Sequence, residues 1–376
     1  MRRYPLEPRD DWEKLVKADG LSYAVQKDGT PYWDESAYYV FAPEEIDYLE
    51  AVTAELHDMS VQAARYALDE APMSAFGLPE SARETMAASL DSPSLYGRFD
   101  LVWDGEGDAK LLEYNADTPT ALIEASVTQW MWLEDRFPAA DQWNALHERL
   151  VATWAGMPLP GGRVHFAHAE DGVDGEEWVT VAYLRDTAAQ AGLLTAGLRV
   201  SEIGWDGVAR RFIDPAGDPI EACFKLYPWE DMFAEPYGEL AGVGGTMWLE
   251  PPWKALLSNK ALLAVLWGLF PGHPNLLPAY LDGPRDMTEY ARKALHGREG
   301  DGVTVVTAGG TEAHAGEYGA EGYCWQRYVE VPSLLPGRRF ILGAWMAGDR
   351  PAGLGVREYA GLVTTDRAWF VPHVIG

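Results

Sequence analysis

The chain has 376 residues, 47% of them hydrophobic, with 58 acidic against 30 basic side chains and a formal charge of −28 when histidines are neutral. This length and apolar share suffice for two or three packed units and exclude a disordered or fibrous chain. The charge argues against nucleic-acid phosphates and anionic lipid as partners and towards cationic ones, unless it serves solubility alone.

Two cysteines, Cys223 and Cys324, each inside an apolar stretch, give neither a disulfide framework nor a structural zinc set, which fits a reducing, cytoplasmic compartment. The opening MRRYPLEPRDDWEKL moves from two arginines into charges and prolines, unlike a secretory signal. The most apolar run, Ala261 to Phe270, is about half of the roughly 20 residues that a bilayer span requires, so no membrane association is expected.

In chain order, the three- and four-residue apolar spacing of Glu44 to Leu68 predicts an amphipathic scaffold helix. Ser94 to Thr120, SLYGRFDLVWDGEGDAKLLEYNADTPT, predicts a hairpin turned at Asp104 to Asp108, followed by a loop into a second helix, Ala121 to Asp135. A strand-to-helix junction of this kind presents unpaired N–H groups to an anionic ligand. RVHFAHA, EEWVTVAYLRDTAAQAG and LRVSEIG predict a βαβ unit. VARRFIDPAGDPIEACFKLY reads as a hairpin turned at Pro215 to Asp218, and KALLAVLWGLF as a helix. The last hundred or so residues read as short strands joined by glycine-rich turns. The expected class is α+β.

The first hairpin carries the chemistry. Its expected register sets Asp100 opposite Glu113 and Arg98 opposite Asn115, with Phe99, Leu101 and Trp103 on the other face beside Leu112 and Tyr114. Opposed carboxylates repel unless a cation joins them, and Asp, Glu and an Asn carbonyl are suitable oxygen ligands for Mg²⁺. The competing reading is a surface hairpin in which Arg98 bridges Asp100 and Glu113.

GRFD with LLEYNADTPT, followed at a distance by SNKALL, resembles the glutathionylspermidine synthase family, from about Tyr32 to His373, in its ATP-grasp synthetase module without the cysteine amidase domain. The resemblance implies an ATP-grasp fold preceded by an α/β substrate domain: a leader at 1–31, a pre-ATP-grasp region at 32–250 holding the hairpin and the βαβ unit, and nucleotide-binding elements at 251–376. It also implies an ADP-forming ligase that joins a carboxylate, possibly of a thiol peptide, to an amine, possibly a polyamine, through an acyl phosphate, with ATP and Mg²⁺ as cofactors. Hydrolysis of the product is not expected.

By that resemblance Asp100, Glu113 and Asn115 hold magnesium, Arg98 contacts the transferring phosphate and Arg357 stabilises the transition state. Lys260 and Lys293 meet the nucleotide phosphates, Gly297, Gly300 and Gly302 belong to a loop that closes over them, and Gln326 with Tyr328, Val329 and on to Val331 approaches the adenine. Ala294 stands where the family's loop has a proline. Thr118 and Thr120 replace serines that touch glutathione, and Glu176 and Glu177 align with acids that bind spermidine. Residue by residue, plainer roles compete: Lys260 as a solvated helix-start lysine, the glycines as an ordinary turn, Arg357 in a surface ion pair, and Glu176 and Glu177 as favourable charges at a helix N-terminus. Two other functions compete as well: a non-catalytic ATP- or ligand-binding protein on the same scaffold, and a carbohydrate-binding module using some of the 16 tryptophans.

Overall fold

A computed structural model describes residues 1–26, 28–169 and 175–376. Its centre is an antiparallel five-stranded sheet in the order Trp369–Val371, Arg350–Tyr359, Arg339–Ala347, Tyr96–Val102 and Lys110–Asn115. Tyr96–Val102 is buried along its whole length, so its apolar and its charged alternate residues both lie inside the protein. That placement contradicts a surface hairpin.

The helix Pro43–Glu70 starts at a proline, and Glu45 reaches back to accept the Ala42 N–H at 2.8 Å. Ile46, Leu49, Val52, Leu56, Met59, Ala63 and Ala67 bury one stripe of it in the core cluster that contains Phe99, Leu101 and Leu342 of the central sheet. The helix ends just before Pro72, as the restricted residue preceding a proline requires.

A four-stranded parallel sheet, in the order Met247–Leu249, Ala222–Leu226, Arg163–His168, Leu194–Arg199, carries the helix Glu176–Gln190 as the crossover of its βαβ unit. The returning strand begins at Leu194, before the expected LRVSEIG, whose Val200–Glu202 forms a 3₁₀ turn instead. The second expected hairpin is also corrected. Arg211–Ile213 pairs back with Gly204–Asp206, while Ala222–Leu226 leaves the turn to join the parallel sheet. The reason is burial: all five residues of ACFKL are enclosed, and an exposed two-stranded ribbon could not cover them.

A second antiparallel sheet, in the order Ala279–Tyr280, Tyr323–Arg327, Tyr290–Ala294, Thr304–Thr307, Gly310–Ala313, packs on the helix Ala261–Leu269. Trp33, Trp132, Trp154, Trp229 and Trp345 are fully buried, so these large rings fill the core. Among the described residues no helix is long and apolar enough to cross a membrane.

Candidate active site

The hairpin Tyr96–Val102 and Lys110–Asn115 pairs Arg98 with Asn115 and Asp100 with Glu113, then slips by one residue so that Leu101 faces Leu111. The extra residue is a β-bulge. It sends Leu111 into the core with Phe99 and Tyr114, and turns Leu112, expected on that apolar face, towards the charged side. A large cleft of about 1140 Å³ lies over that side, between the central sheet, the parallel sheet and the second antiparallel sheet.

Arg98 and Asp100, 4% and 3% exposed, are tied by Arg98 Nε to Asp100 Oδ1 at 2.8 Å. Arg357 Nη2 takes Oδ2 of the same carboxylate at 2.7 Å, and Arg98 also donates to the Thr120 carbonyl. Glu113 is served separately: Asn115 Nδ2 donates to Oε1 at 3.0 Å and Lys260 Nζ lies 3.4 Å from Oε2. Burial would raise the Glu113 carboxyl, but Lys260 and then Lys293 hold it well below the usual carboxylate range. The opposed acids are thus neutralised without a bridge by Arg98, which reaches Asp100 alone.

The bulge also positions the second lysine. Lys293, on the strand Tyr290–Ala294, donates 2.8 Å bonds to the Leu112 carbonyl and to Gln326 Oε1. Gln326 in turn donates from Nε2 to the Leu111 carbonyl at 2.8 Å. Burial pushes the Lys293 ammonium down, with Glu113 opposing. Gln326 is therefore spent on orienting a lysine, while Tyr328 and Val329 line the cleft beyond it.

Lys260 precedes the helix Ala261–Leu269 at its N-cap position and donates to the Gly297 carbonyl at 2.7 Å, which ties the glycine-rich loop to the hairpin. Arg298 extends the tie, donating to Thr118 Oγ1 at 2.9 Å and to Glu230 Oε1 at 2.5 Å. Gly300 has φ +82°, and a Cβ there would sit 2.7 Å from the Thr364 carbonyl, so the loop is seated closely on the turn at 362–365. Gly302 packs against Ala294 and, unlike Gly297 and Gly300, does not line the cleft.

The far end of the cleft is acidic and aromatic. Glu176 and Glu177 open the crossover helix after Gly175; the preceding residues 170–174 of the acidic run lie outside the described residues. Tyr32 Oη donates to Glu124 Oε1 at 2.6 Å, and the Tyr23 and Tyr32 rings lie 5.6 Å apart. Burial first, then Glu124, Glu299 and Glu177, push the Glu176 carboxyl up from 4.5 to about 8. The folded chain therefore keeps a proton there that the unfolded chain releases, so this group's contribution to stability falls as pH rises from 4.5 towards 8. Urea midpoints at pH 5.5 and 8.5 check this: the gain in stability of Glu176→Gln over the parent is expected to be larger at the higher pH, and an equal difference at both values would refute the shift.

Every candidate site residue from the sequence lines this cleft except Gly302 and Glu330, the latter within the Tyr328 to Val331 stretch. Sequence reasoning missed several that hold the site. Ser258 Oγ accepts the Ala116 and Asp117 N–H groups at 2.9 and 2.7 Å and fixes the hairpin-to-helix loop. Asp117 meets Lys225 at 2.9 Å and the Trp229 N–H at 2.9 Å. Glu124, within LIEASV, sits where the helix widens into a π turn, Glu124–Thr128, of the sort common at functional sites. Its one sequence signal is a carboxylate inside an apolar run. Among the described residues no group of three or more His, Cys, Asp or Glu side chains converges as a metal cage. Asp100 and Glu113 with the Asn115 carbonyl do fit a hard cation that completes its shell with water and phosphate oxygens.

The sequence model for the glutathionylspermidine synthase preATP-grasp region matches residues 3–376. A putative acid–amine ligase of Haemophilus influenzae is 38% identical over 98% of both chains. Trypanothione synthetase of Crithidia fasciculata and the bifunctional glutathionylspermidine synthetase/amidase of Escherichia coli are each 28% identical, over 84% and 79% of this chain. The chain spans about half the length of these two, 53% and 52%. A glutathione synthetase-like effector from Globodera pallida superposes with a TM-score of 0.62 at 11% identity, covering 97% of this chain and 96% of that one, a likeness of fold.

Proposed function

The chain belongs to the glutathionylspermidine synthase preATP-grasp family, and from that premise we propose that it joins a carboxylic acid to an amine at the expense of ATP, releasing ADP and phosphate. The observation that carries this reading is the meeting of Lys260, Lys293, Arg98 and Arg357 with Asp100 and Glu113 on one cleft. Four cations beside two carboxylates suit a polyphosphate that arrives with a hard metal ion.

The chemistry asks for alignment more than for a protein nucleophile. A substrate carboxylate oxygen attacks the γ-phosphorus, the bond to the β-phosphate oxygen breaks, and ADP leaves. The amine nitrogen then attacks the acyl carbon, the carbon–oxygen bond to phosphate breaks, and the nitrogen gives up a proton. Lys260 and Lys293 bind the nucleotide's phosphates, while Arg98 and Arg357 neutralise charge on the transferring group. Asp100, Glu113 and Asn115 would hold magnesium, which supplies charge neutralisation between the phosphates. Thr118 and Thr120 at the hairpin-to-helix loop serve the acid, and Glu176 and Glu177 the amine. Tyr328 and Val329 lie on the adenine side.

Coupled ADP release tests the reading. With Mg²⁺-ATP, a panel of thiol peptides as acids and polyamines as amines, ADP release is expected to rise at least about tenfold when acid and amine are supplied together. A condensation product lighter by one water than its parts should appear by mass spectrometry. Absence of both across a broad panel would turn the reading towards a binding protein.

A further inference from the structure

Glu312 does not line the cleft, yet it grips the cleft's rim. It stands half-buried on Gly310–Ala313, the edge strand of the second antiparallel sheet. Both of its carboxylate oxygens accept the Leu362 N–H, Oε1 at 3.1 Å and Oε2 at 3.0 Å. Leu362 belongs to the turn between Arg350–Tyr359 and Trp369–Val371 of the central sheet, so one side chain reaches from sheet to sheet. The approach restricts the preceding residue: Gly361 has φ +80°, and a Cβ there would sit 2.9 Å from Glu312 Oε1. His314 Nε2 lies 2.9 Å from the same oxygen. Burial would raise this carboxyl, but His314 and then the Leu362 N–H outweigh it and hold it below its ordinary value, so the grip is that of a charged acceptor at neutral pH.

The gripped turn is the seat of the glycine-rich loop. A Cβ on Gly300 would lie 2.7 Å from the Thr364 carbonyl and 2.8 Å from Val363 Cγ1, so loop and turn touch through their backbones. The His314 N–H donates to the Val303 carbonyl at 2.8 Å, where the loop returns to its sheet. Strand, loop and turn are thus tied to one another, and Leu362, Val363, Thr364 and Thr365 line the cleft beside Gly297 and Gly300. The same two sheets also meet in the depth of the cleft, where Lys293 and Gln326, both buried, donate to the Leu112 and Leu111 carbonyls. The two joints differ in kind. The deep one is enclosed, whereas the rim joint rests on a half-exposed carboxylate and one amide, the sort of contact that opens at low cost because water competes for it.

We propose that Glu312 is a positioning residue that acts as a catch: through the Leu362 amide it holds the 361–365 turn against the glycine-rich loop, and its release is the step that lets a bound nucleotide leave. The inference rests on the ligase reading for what fills the cleft, and adds to it the contact that governs how long the occupant stays. The deep joint serves as the hinge, since Lys293 and Gln326 keep their bonds while the rim parts. Glu312 touches no reacting group. It works on the far side of the turn from the cleft, and its effect belongs to binding and release rather than to phosphoryl transfer.

Stopped-flow release of a fluorescent, non-hydrolysable ATP analogue with Mg²⁺, chased by unlabelled ATP, tests this. Glu312→Ala is expected to speed release about tenfold, the loss of one charge-assisted bond. Glu312→Gln keeps an oxygen for the Leu362 N–H and should stay within about threefold of the parent, whereas Glu312→Asp, a methylene too short, should behave as alanine does. A contact that only stabilised the fold would lower thermal midpoints and leave the release rate alone. Hydrogen exchange without nucleotide gives a second readout: Glu312→Ala should raise exchange about tenfold in the 297–302 loop as well as at Leu362. Release from Glu312→Ala at the parent's rate, or faster exchange confined to the 361–365 turn, would overturn the proposal. A parent chain that bound no analogue would instead refute the ligase reading, and the exchange result would still decide the catch.

Discussion

Replacing Glu113 with alanine is expected to lower amide formation by about 10³-fold, equivalent to about 4 kcal/mol of transition-state stabilisation, while the chain stays folded. Glu113 lies on Lys110–Asn115, the edge strand of the central sheet, where its side chain is only part-buried and touches Asn115 and Lys260. Lys260 keeps its bond to the Gly297 carbonyl after the truncation, so no charge is left without an acceptor. The sharper readout is nucleotide binding. Lys260 and Lys293 both depress the Glu113 pKa, and on the proposed reading Glu113 competes with phosphate for them. Without it, metal-free ATP should bind as well as before or better, whereas the added affinity from Mg²⁺ should vanish. Titration of ATP with and without the metal separates these effects, and a variant that keeps the full metal-dependent gain defeats the assignment of Glu113 as a ligand.

The residues that meet at the cleft could be read from local pattern, because period-two alternation around DGEGD fixes which side chains share a face. The structure pairs Asp100 with Glu113 and Arg98 with Asn115 as that alternation requires. The bulge at Leu112 could not be read, since nothing in KLLEYN distinguishes one leucine from the other. What selects it is tertiary: Leu111 and Leu112 turn their carbonyls to Gln326 and Lys293, more than 180 residues downstream in the latter case. The same limit hid the true fate of Ala222–Leu226. A short apolar run after a turn reads as a hairpin arm, and only its enclosure between neighbouring strands makes it a member of a parallel sheet. Arg298 and Ser258 escaped notice for a simpler reason. Each is an ordinary polar residue in a loop until the fold brings Thr118, Glu230 or the Ala116 and Asp117 amides within reach.

Arg357→Ala should separate catalysis from binding more cleanly than any change at Arg98. Both arginines share Asp100, but they are built in differently. Arg98 also donates to the Thr120 carbonyl and lies over the Trp345 ring at 5.8 Å, so its loss disturbs the hairpin-to-helix loop and the sheet. Among the described residues the Arg357 side chain hydrogen-bonds to Asp100 alone, which would remain paired through Arg98. The cost in stability is then small, since the carboxylate is not left unpartnered as it would be on breaking an isolated buried pair. On the proposed ligase reading, what is lost is a planar donor facing the transferring group, and removal of one such preorganised donor costs about 10²–10³ in kcat. KM for ATP should move less than about fivefold, because on the same proposal Lys260 and Lys293 still hold the phosphates. Lysine is not expected to rescue the variant, as a point charge cannot serve Asp100 and phosphate oxygens together. Steady-state kinetics of Arg357→Ala and Arg357→Lys, with thermal midpoints as a control for folding, decide the matter. A kcat within about threefold of the parent, or a loss confined to KM, would remove Arg357 from the reaction and leave it as an ion-pair partner of Asp100.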